Sequence, residues 1–468
     1  MGTISDKLMR IINTKEDIRQ ALISKGYDVP TSIPFKEYAK MISDLPCRVD
    51  SFPDIEGIVA RYSALGLTNE QMAANPVWVD KTGNGHDLQM KNFAWKEGSG
   101  ISDIYPGALV FDGVDDWAGC DNLPLLPKEK GYSIIALRNW ITRYDATQYK
   151  RPLISNLDTN DEGAFLIEYR KDENVNDVTG SYNSFTDVYI DDNNPITWQT
   201  SSSYNGQIIK KGTSKSTNKL CICKTYFGQL SNYVNAAIWE IVILDHDATE
   251  EELTKIKDYF VKTYPWLFPD QAWTVTGKTN EDEDRATIAN ITGNSNNLVL
   301  SNFGFAEGSG YNEEGEYAGY LVTDGVDDRV QDSSFKLNKD WTLVGEWVFL
   351  NQKATNAGIT KPFSFVVYNR TTGLSLFINT GTSGITIENV KSIKAICSDG
   401  RIYFDDWSEM LISKDQDITS STSVLSIGFN GTAYTQMAFK NLGIYNNQLL
   451  SKDDCIKAYN YLQTLKAK

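Results

Sequence analysis

The sequence predicts a mainly β protein: two tandem antiparallel β-sandwich domains of the jelly-roll kind, preceded by a small α-helical N-terminal module. Three observations lead there. Apolar residues recur at helical spacing over the first forty or so positions, short β-branched and aromatic runs fill most of the remaining chain, and a set of motifs occurs twice in the same order. With 468 residues, the chain has room for two or three domains at about 100–200 residues each.

Ile4, Leu8, Ile11 and Ile12 share one helical face. Thr14-Lys15-Glu16-Asp17 reads as a capping-box-like restart, after which Ile18, Ala21 and Leu22 continue the stripe to Gly26. Ser32 and Pro34 open a second helix with Phe35, Tyr38, Ala39 and Ile42 on one side, ended by Leu45-Pro46. So short a helical segment buries little apolar surface alone. Residues 1–50 are therefore expected to anchor the chain or to oligomerise it, through Leu8, Ile11, Ile12, Ile18, Leu22, Phe35, Tyr38 and Ile42.

The remainder repeats. Gly66-Leu67-Thr68-Asn69-Glu70 matches Gly277-Lys278-Thr279-Asn280-Glu281, and Thr82-Gly83-Asn84 matches Thr292-Gly293-Asn294. Asn92-Phe93, Glu97-Gly98-Ser99-Gly100 and Asp112-Gly113-Val114-Asp115-Asp116 return as Asn302-Phe303, Glu307-Gly308-Ser309-Gly310 and Asp324-Gly325-Val326-Asp327-Asp328. Each copy ends in an apolar strand, near 237–244 and 437–445, then Thr249-Glu250-Glu251-Glu252 and a helix from Leu253 to Tyr264, or Ser451-Lys452-Asp453-Asp454 and a helix to Leu465. The domains are accordingly placed at 51–268 and 269–468, joined near Pro265-Trp266-Leu267-Phe268-Pro269. Runs such as 132–137, 164–169, 341–349 and 363–368 are β-branched and aromatic, and Gly, Asn, Asp and Ser separate them.

Composition narrows the function. Lys and Arg number 45 against 61 Asp and Glu, a net charge of −16, which argues against nucleic-acid binding. Six cysteines are too sparse for a disulfide scaffold, and Cys221 and Cys223, expected on one face of a strand, have no second pair nearby for zinc. Free thiols in a reducing cytoplasm are expected. The start lacks a signal-peptide pattern and no run approaches a membrane span, so a soluble protein not exported by the usual route is expected.

Asp80-Lys81-Thr82-Gly83-Asn84-Gly85, Leu109-Val110-Phe111-Asp112-Gly113-Val114-Asp115-Asp116-Trp117 and the Thr-Glu-Glu-Glu helix together resemble a concanavalin A-like, laminin-G-type lectin domain. The second copy departs from that pattern, with Ser295 where Gly85 stands and Arg329 in place of the aromatic. The head, with Thr14-Lys15-Glu16-Asp17-Ile18, Gly26, Val29-Pro30 and Pro34 to Tyr38, resembles a module that opens tail and fibre proteins of bacteriophages. The stretch from Ile58 to Trp95 is similar to phage-associated proteins of gut Bacteroides. These resemblances imply a structural protein of a phage particle, a head or tail fibre or a decoration protein. It would be made in the bacterial host's cytoplasm and exposed on the virion, with lectin-like domains touching host-surface glycans. Other virion proteins would meet the helices, and a homo-oligomer, a trimer, is expected.

Sugar binding needs aromatic faces together with hydroxyl-binding amides and acids. Tyr169, Tyr189, Trp198, Gln199 and Tyr204 offer that mixture in the first copy, and Tyr368, Asn369 and Phe377 in the second; Trp198 stands in a polar, loop-like stretch. Each alone also fits packing. Asp112, Asp115 and Asp116 read first as a turn and, as clustered carboxylates, as a Ca²⁺ site; no other cofactor is expected. Sandwich glycosidases carry Glu-x-Asp-x-x-Glu on one strand, and that pattern is missing, so the chain is expected not to be an enzyme. A purely structural virion block and a polysaccharide-degrading enzyme are the alternatives.

Overall fold

The structure, a computed structural model, describes residues 15, 19, 52–126, 131–141, 151–158, 164–170, 183–188, 195–200, 207–210, 216–227, 232–332, 334–351, 358–361, 365–371, 373–378, 385–412 and 421–467. By packing, the chain separates into Met1–Pro53 and Asp54–Lys468. Of the first unit only Lys15, Arg19 and residues 52–53 are described, the first two helical. Leu8, Ile11, Ile12, Ile18, Leu22, Phe35, Tyr38 and Ile42 lie outside the described residues.

The second unit is mainly β, and each half of it is built around a pair of large sheets, the second half adding a two-stranded sheet of Phe335–Leu337 and Ser421–Ser423. In the first half one sheet runs Ile196–Thr200, Ser133–Trp140, Asn235–Leu244, Leu109–Asp112, Gly100–Ile101, with Ile58–Ser63 also paired to Asn235–Leu244. Its companion runs Gln207–Lys210, Asn183–Val188, Phe165–Arg170, Arg151–Ser155, Leu220–Ile222, Trp117–Cys120, Leu88–Lys91, Val77–Trp78. The second half follows the same order. Met437–Asn446 sits between Tyr320–Val322 and Trp341–Phe349 and also carries Gln271–Thr274, while Arg329–Gln331, Ser426–Ile427, Gly358–Lys361 and Phe365–Arg370 succeed one another in the companion sheet. The sequence repeat is thus a repeat of topology.

Among the described strands pairing is antiparallel with one exception, which corrects the expectation, and the isolated bridge Leu157–Tyr226 is also parallel. Phe165–Arg170 and Asn183–Val188 run parallel, whereas their counterparts Phe365–Arg370 and Gly373–Ile378 form an antiparallel pair. A parallel pair needs a connection of about a dozen residues, which the first half has at 171–182 and the second half, turning at 371–372, lacks.

The strands that cover each core alternate as half-buried strands must: Leu88–Lys91 and Phe365–Arg370 bury every second residue. One apolar cluster per half draws on both sheets, through Phe111, Ile134 and Ile238 against Leu88, Phe165 and Ile222, and through Leu321, Leu343 and Phe439 against Leu298, Val330 and Phe365. Burying each such side chain contributes about 1.5–3 kcal/mol.

The helices begin where their caps say. Helix α1, Asn69–Ala74, and helix α2, Glu250–Thr263, have complete capping boxes from Thr68 with Gln71 and Thr249 with Glu252; helix α3, Lys452–Thr464, is capped by Ser451. The ten-residue strand Asn235–Leu244 is buried on both faces, and α2 is tied to it by buried charge. Arg61 Nε lies 2.6 Å from Glu240 Oε1, the Tyr264 hydroxyl donates to Glu240 Oε2 at 2.6 Å, and Arg61 Nη2 donates to the Tyr259 hydroxyl at 2.8 Å. In the second half Asn441 stands at the place of Glu240, opposite Thr274 as Glu240 is opposite Ser63.

Among the described residues no helix is long and apolar enough to cross a membrane. Cys120, Cys221, Cys223, Cys397 and Cys455 are buried free thiols. Cys221 and Cys223 do not share a strand face: the strand stops at Ile222, and Cys223, at φ 58°, turns into the core.

Candidate functional site

The repeated motifs, spread over about fifty residues of each copy, assemble one structure. Asp112 Oδ1 accepts the amide N–H of Val114 at 2.7 Å, Asp115 at 3.2 Å and Asp116 at 3.3 Å, while Asp116 Oδ2 accepts the amide of Asp112 at 3.0 Å. The second half repeats this bond for bond: Asp324 Oδ1 accepts from Val326, Asp327 and Asp328, and Asp328 Oδ2 from Asp324. Two carboxylates at the ends of a five-residue turn thus satisfy its amides.

Two other motifs act around this turn, one bonding it directly and one holding the neighbouring strand. Asn92 and Asn302, each at φ 70°, donate Nδ2 to the carbonyls of Asp115 at 2.9 Å and Asp327 at 3.0 Å. That left-handed conformation is one Asn tolerates. Asn69 and Asn280 pair their amides with both backbone groups of Ile101 and Tyr311. A Cβ on Gly100 or Gly310 would come 2.3 Å or 2.5 Å from the Asn side-chain oxygen, so the second glycine of Gly-Ser-Gly makes room for that pairing.

Asp112, Asp115 and Asp116, like Asp324, Asp327 and Asp328, bring carboxylate oxygens within 4.8 Å of one another. Asp116 and Asp328 are fully buried, and burial pushes each carboxyl up to about 6. Asp112 and Asp324 spend an oxygen on three amides, leaving Asp115, Asp327 and the remaining oxygens as what either turn could offer a cation.

Beside the first turn stands a ladder of rings and ammonium groups. The Lys224 Nζ lies 4.0 Å from the centroid of the Trp117 ring and 5.7 Å from that of Tyr233. Trp117 meets Phe227 edge to face at 5.8 Å, and Lys219 Nζ lies 4.8 Å from the Phe227 centroid. Gly119 lies beneath the rings, where a Cβ would come 2.8 Å from Trp117. Among the described residues Lys219 has one carboxylate neighbour, Asp121, at 3.8 Å. Lys224 is 4 % exposed, and among the described residues no hydrogen bond or ion pair reaches its ammonium. Burial pulls its pKa down.

In the second half the cation and the ring change places. Arg329 stands where Trp117 does, and Phe429 where Lys224 does; the bridge Lys224–Tyr233 is matched by Phe429–Tyr434. The Arg329 guanidinium lies 6.0 Å from the Phe429 centroid, and Phe429 stacks on Tyr434 at 4.9 Å. This accounts for Arg329 in the aromatic's position: the contact is kept with its partners exchanged.

The residues singled out from sequence are dispersed. Tyr169 lies on Phe165–Arg170 and Trp198 with Gln199 on Ile196–Thr200, strands of different sheets; their side chains, and Tyr189 and Tyr204 entirely, lie outside the described residues. Trp198 stands on a strand paired with Ser133–Trp140 rather than in a loop. Tyr368 and Phe377 do meet, at 5.9 Å. Asn369 is fully buried and donates to Thr435 Oγ1 at 2.8 Å, so its role is packing. Lys219, Lys224, Phe227 and Tyr233 escape sequence reasoning; their one sequence signal is Trp117 directly after the turn, exchanged for Arg329 in the copy.

Elsewhere, His246 bridges Asp245 at 3.2 Å and Glu252 at 3.2 Å. A cavity of about 480 Å³ lies at the seam of the two halves, lined by Ile135, Ile196, Leu253, Phe260, Phe268 and Tyr461 among others.

No family model and no curated protein matches the chain. Among solved structures, a Trypanosoma rangeli sialidase in complex with sialic acid is 11 % identical with a TM-score of 0.29, covering 50 % of this chain and 41 % of its own. A botulinum neurotoxin serotype D/C binding domain is 10 % identical with a TM-score of 0.32, covering 84 % of this chain and 99 % of its own. The chain thus spans about two fifths of the sialidase. The expectation that the chain is not an enzyme is corrected here, because sialidases are among the structures it matches. At these TM-scores neither likeness carries an activity across.

Proposed function

We propose that this chain is a lectin-like surface protein of a bacteriophage particle, contacting host-surface glycans through tandem concanavalin A-like jelly-roll domains. The observation that carries the glycan reading is the ladder of Tyr233, Lys224, Trp117, Phe227 and Lys219 beside the Asp112–Asp116 turn. Ring faces take the apolar faces of sugars, and ammonium groups donate to their oxygens. The shared strand order of the two halves supports the tandem jelly-roll reading. Residues 1–50 would form the helical module that meets other virion proteins and assembles the chain, as a trimer. Several weak sites on one particle then engage a surface together, with an avidity beyond any single site. Either Asp turn could additionally take Ca²⁺.

A purely structural role in the virion is favoured by one observation. Val114 and Val326, at matched turn tips, are 73 % and 71 % exposed, as suits protein contacts. The test is a glycan array probed with the full chain, alongside imaging of labelled chain on the particle. Binding lost in Trp117→Ala supports the glycan reading; silence on every glycan with the chain present in the particle leaves the structural role.

A further inference from the structure

We infer that the ladder of the first half is a site for an acidic saccharide, its carboxylate seated on the Lys224 ammonium and its ring face on Trp117. The inference rests on the glycan-binding reading and names the ligand class. A partly desolvated ammonium that reaches solvent beside ring faces is free to take a ligand's carboxylate in exchange for water. The Lys224 stem is buried while its ammonium reaches solvent between two aromatic faces, Trp117 at 4.0 Å and Tyr233 at 5.7 Å. Ring faces stabilise the cation but accept none of its N–H groups in the way an oxygen does. In a chain of net charge −16, carboxylates abound, yet among the described residues none is set against this ammonium. A ligand carboxylate would take the solvent side of this ammonium.

Two further observations point the same way. Lys219 extends the positive edge along the Phe227 ring, with Asp121 only at 3.8 Å, so a second acidic residue of a chain-like saccharide finds a second ammonium. In the second half the ring and cation trade positions, yet a cation without a carboxylate partner among the described residues is again present. Arg329 is partly exposed over Phe429, which is 7 % exposed. The first half therefore presents a ring backed by an ammonium, and the second a guanidinium backed by a buried ring. An acidic saccharide is favoured over an acidic peptide because the two ammonium groups are set among three aromatic rings, a surface suited to a sugar's face.

The experiment is calorimetric titration of the full chain with trigalacturonate, its methyl ester, maltotriose and a short poly-glutamate peptide, repeated on Lys224→Met and Trp117→Ala. Expected is binding of trigalacturonate that weakens with added salt, falls about tenfold or more on esterification, and falls as much in Lys224→Met. Esterification acts on the unaltered protein, so the result stands even if Lys224→Met folds poorly. Equal binding of the ester or of maltotriose overturns the acidic class while leaving glycan recognition intact. Tighter binding of poly-glutamate overturns the inference in favour of a protein ligand. Absence of binding to any saccharide here and on the array sinks both this inference and the glycan reading.

Discussion

Asp116→Asn isolates the most unusual charge in the repeated turn. The wild-type carboxyl is fully buried, and burial pushes it from 3.8 up to about 6. In the unfolded chain it ionises near its ordinary value. Below about pH 4 both states hold the proton; between about 4 and 6 the unfolded state releases it first, so stability falls as pH rises; above about 6 the loss is complete. The difference amounts to about 3 kcal/mol at 1.36 kcal/mol per pKa unit, and screening by nearby water reduces it to about 1.5 kcal/mol. The substituted amide stays neutral throughout and can still accept the Asp112 N–H through its carbonyl. Urea unfolding of both proteins between about pH 4 and 7 should show the wild type losing about 1.5 kcal/mol more than the variant, and Asp328→Asn should behave alike. Other carboxylates titrate in both proteins and cancel in the difference. Parallel curves would refute the claim that the folded turn holds its proton.

Glu240→Gln leaves the buried Arg61 guanidinium without its countercharge and should cost about 3 kcal/mol, read as a lower midpoint in thermal unfolding. Gly100→Ala drives a Cβ to within 2.3 Å of Asn69 Oδ1, whereas Gly98 has open space around it. Gly100→Ala should therefore destabilise by about 1–3 kcal/mol more than Gly98→Ala in the same assay. Thr249→Ala removes the cap of α2 and should cost about 1 kcal/mol in urea unfolding. Calcium at about millimolar concentration should raise the midpoint of wild type more than that of Asp115→Asn if either turn takes the ion; an equal response in both removes Asp115 from any cation site.

Much of the architecture is legible in the sequence because it is written locally. The alternation in Leu88–Lys91, the caps at Thr249 and Ser451, and the recurrence of Asp-Gly-Val-Asp-Asp each lie within a few residues. The expected strand 341–349 is the observed Trp341–Phe349, whereas the helix expected from Leu253 already starts at Glu250, because Thr249 caps it and the acidic residues form its first turn. Trp198 reads as a loop residue because a strand with polar residues such as Thr197, Gln199 and Thr200 has the composition of a loop. The parallel pair of Phe165–Arg170 with Asn183–Val188 stays hidden because a strand's own residues look the same whichever way its neighbour runs.

Composition, repeat and turn chemistry thus belong to the sequence alone: a β-rich, acidic chain that carries one module twice, with each Asp turn closed by its own side chains. Which groups meet at the loop ends was decided only in three dimensions. Trp117, Lys219, Lys224, Phe227 and Tyr233 come together through the pairing of Trp117–Cys120 with Leu220–Ile222, a contact between segments about a hundred residues apart. Cation–ring attraction depends on distance and not on which strand supplies the ring, so two halves with one topology could exchange the partners and keep the contact.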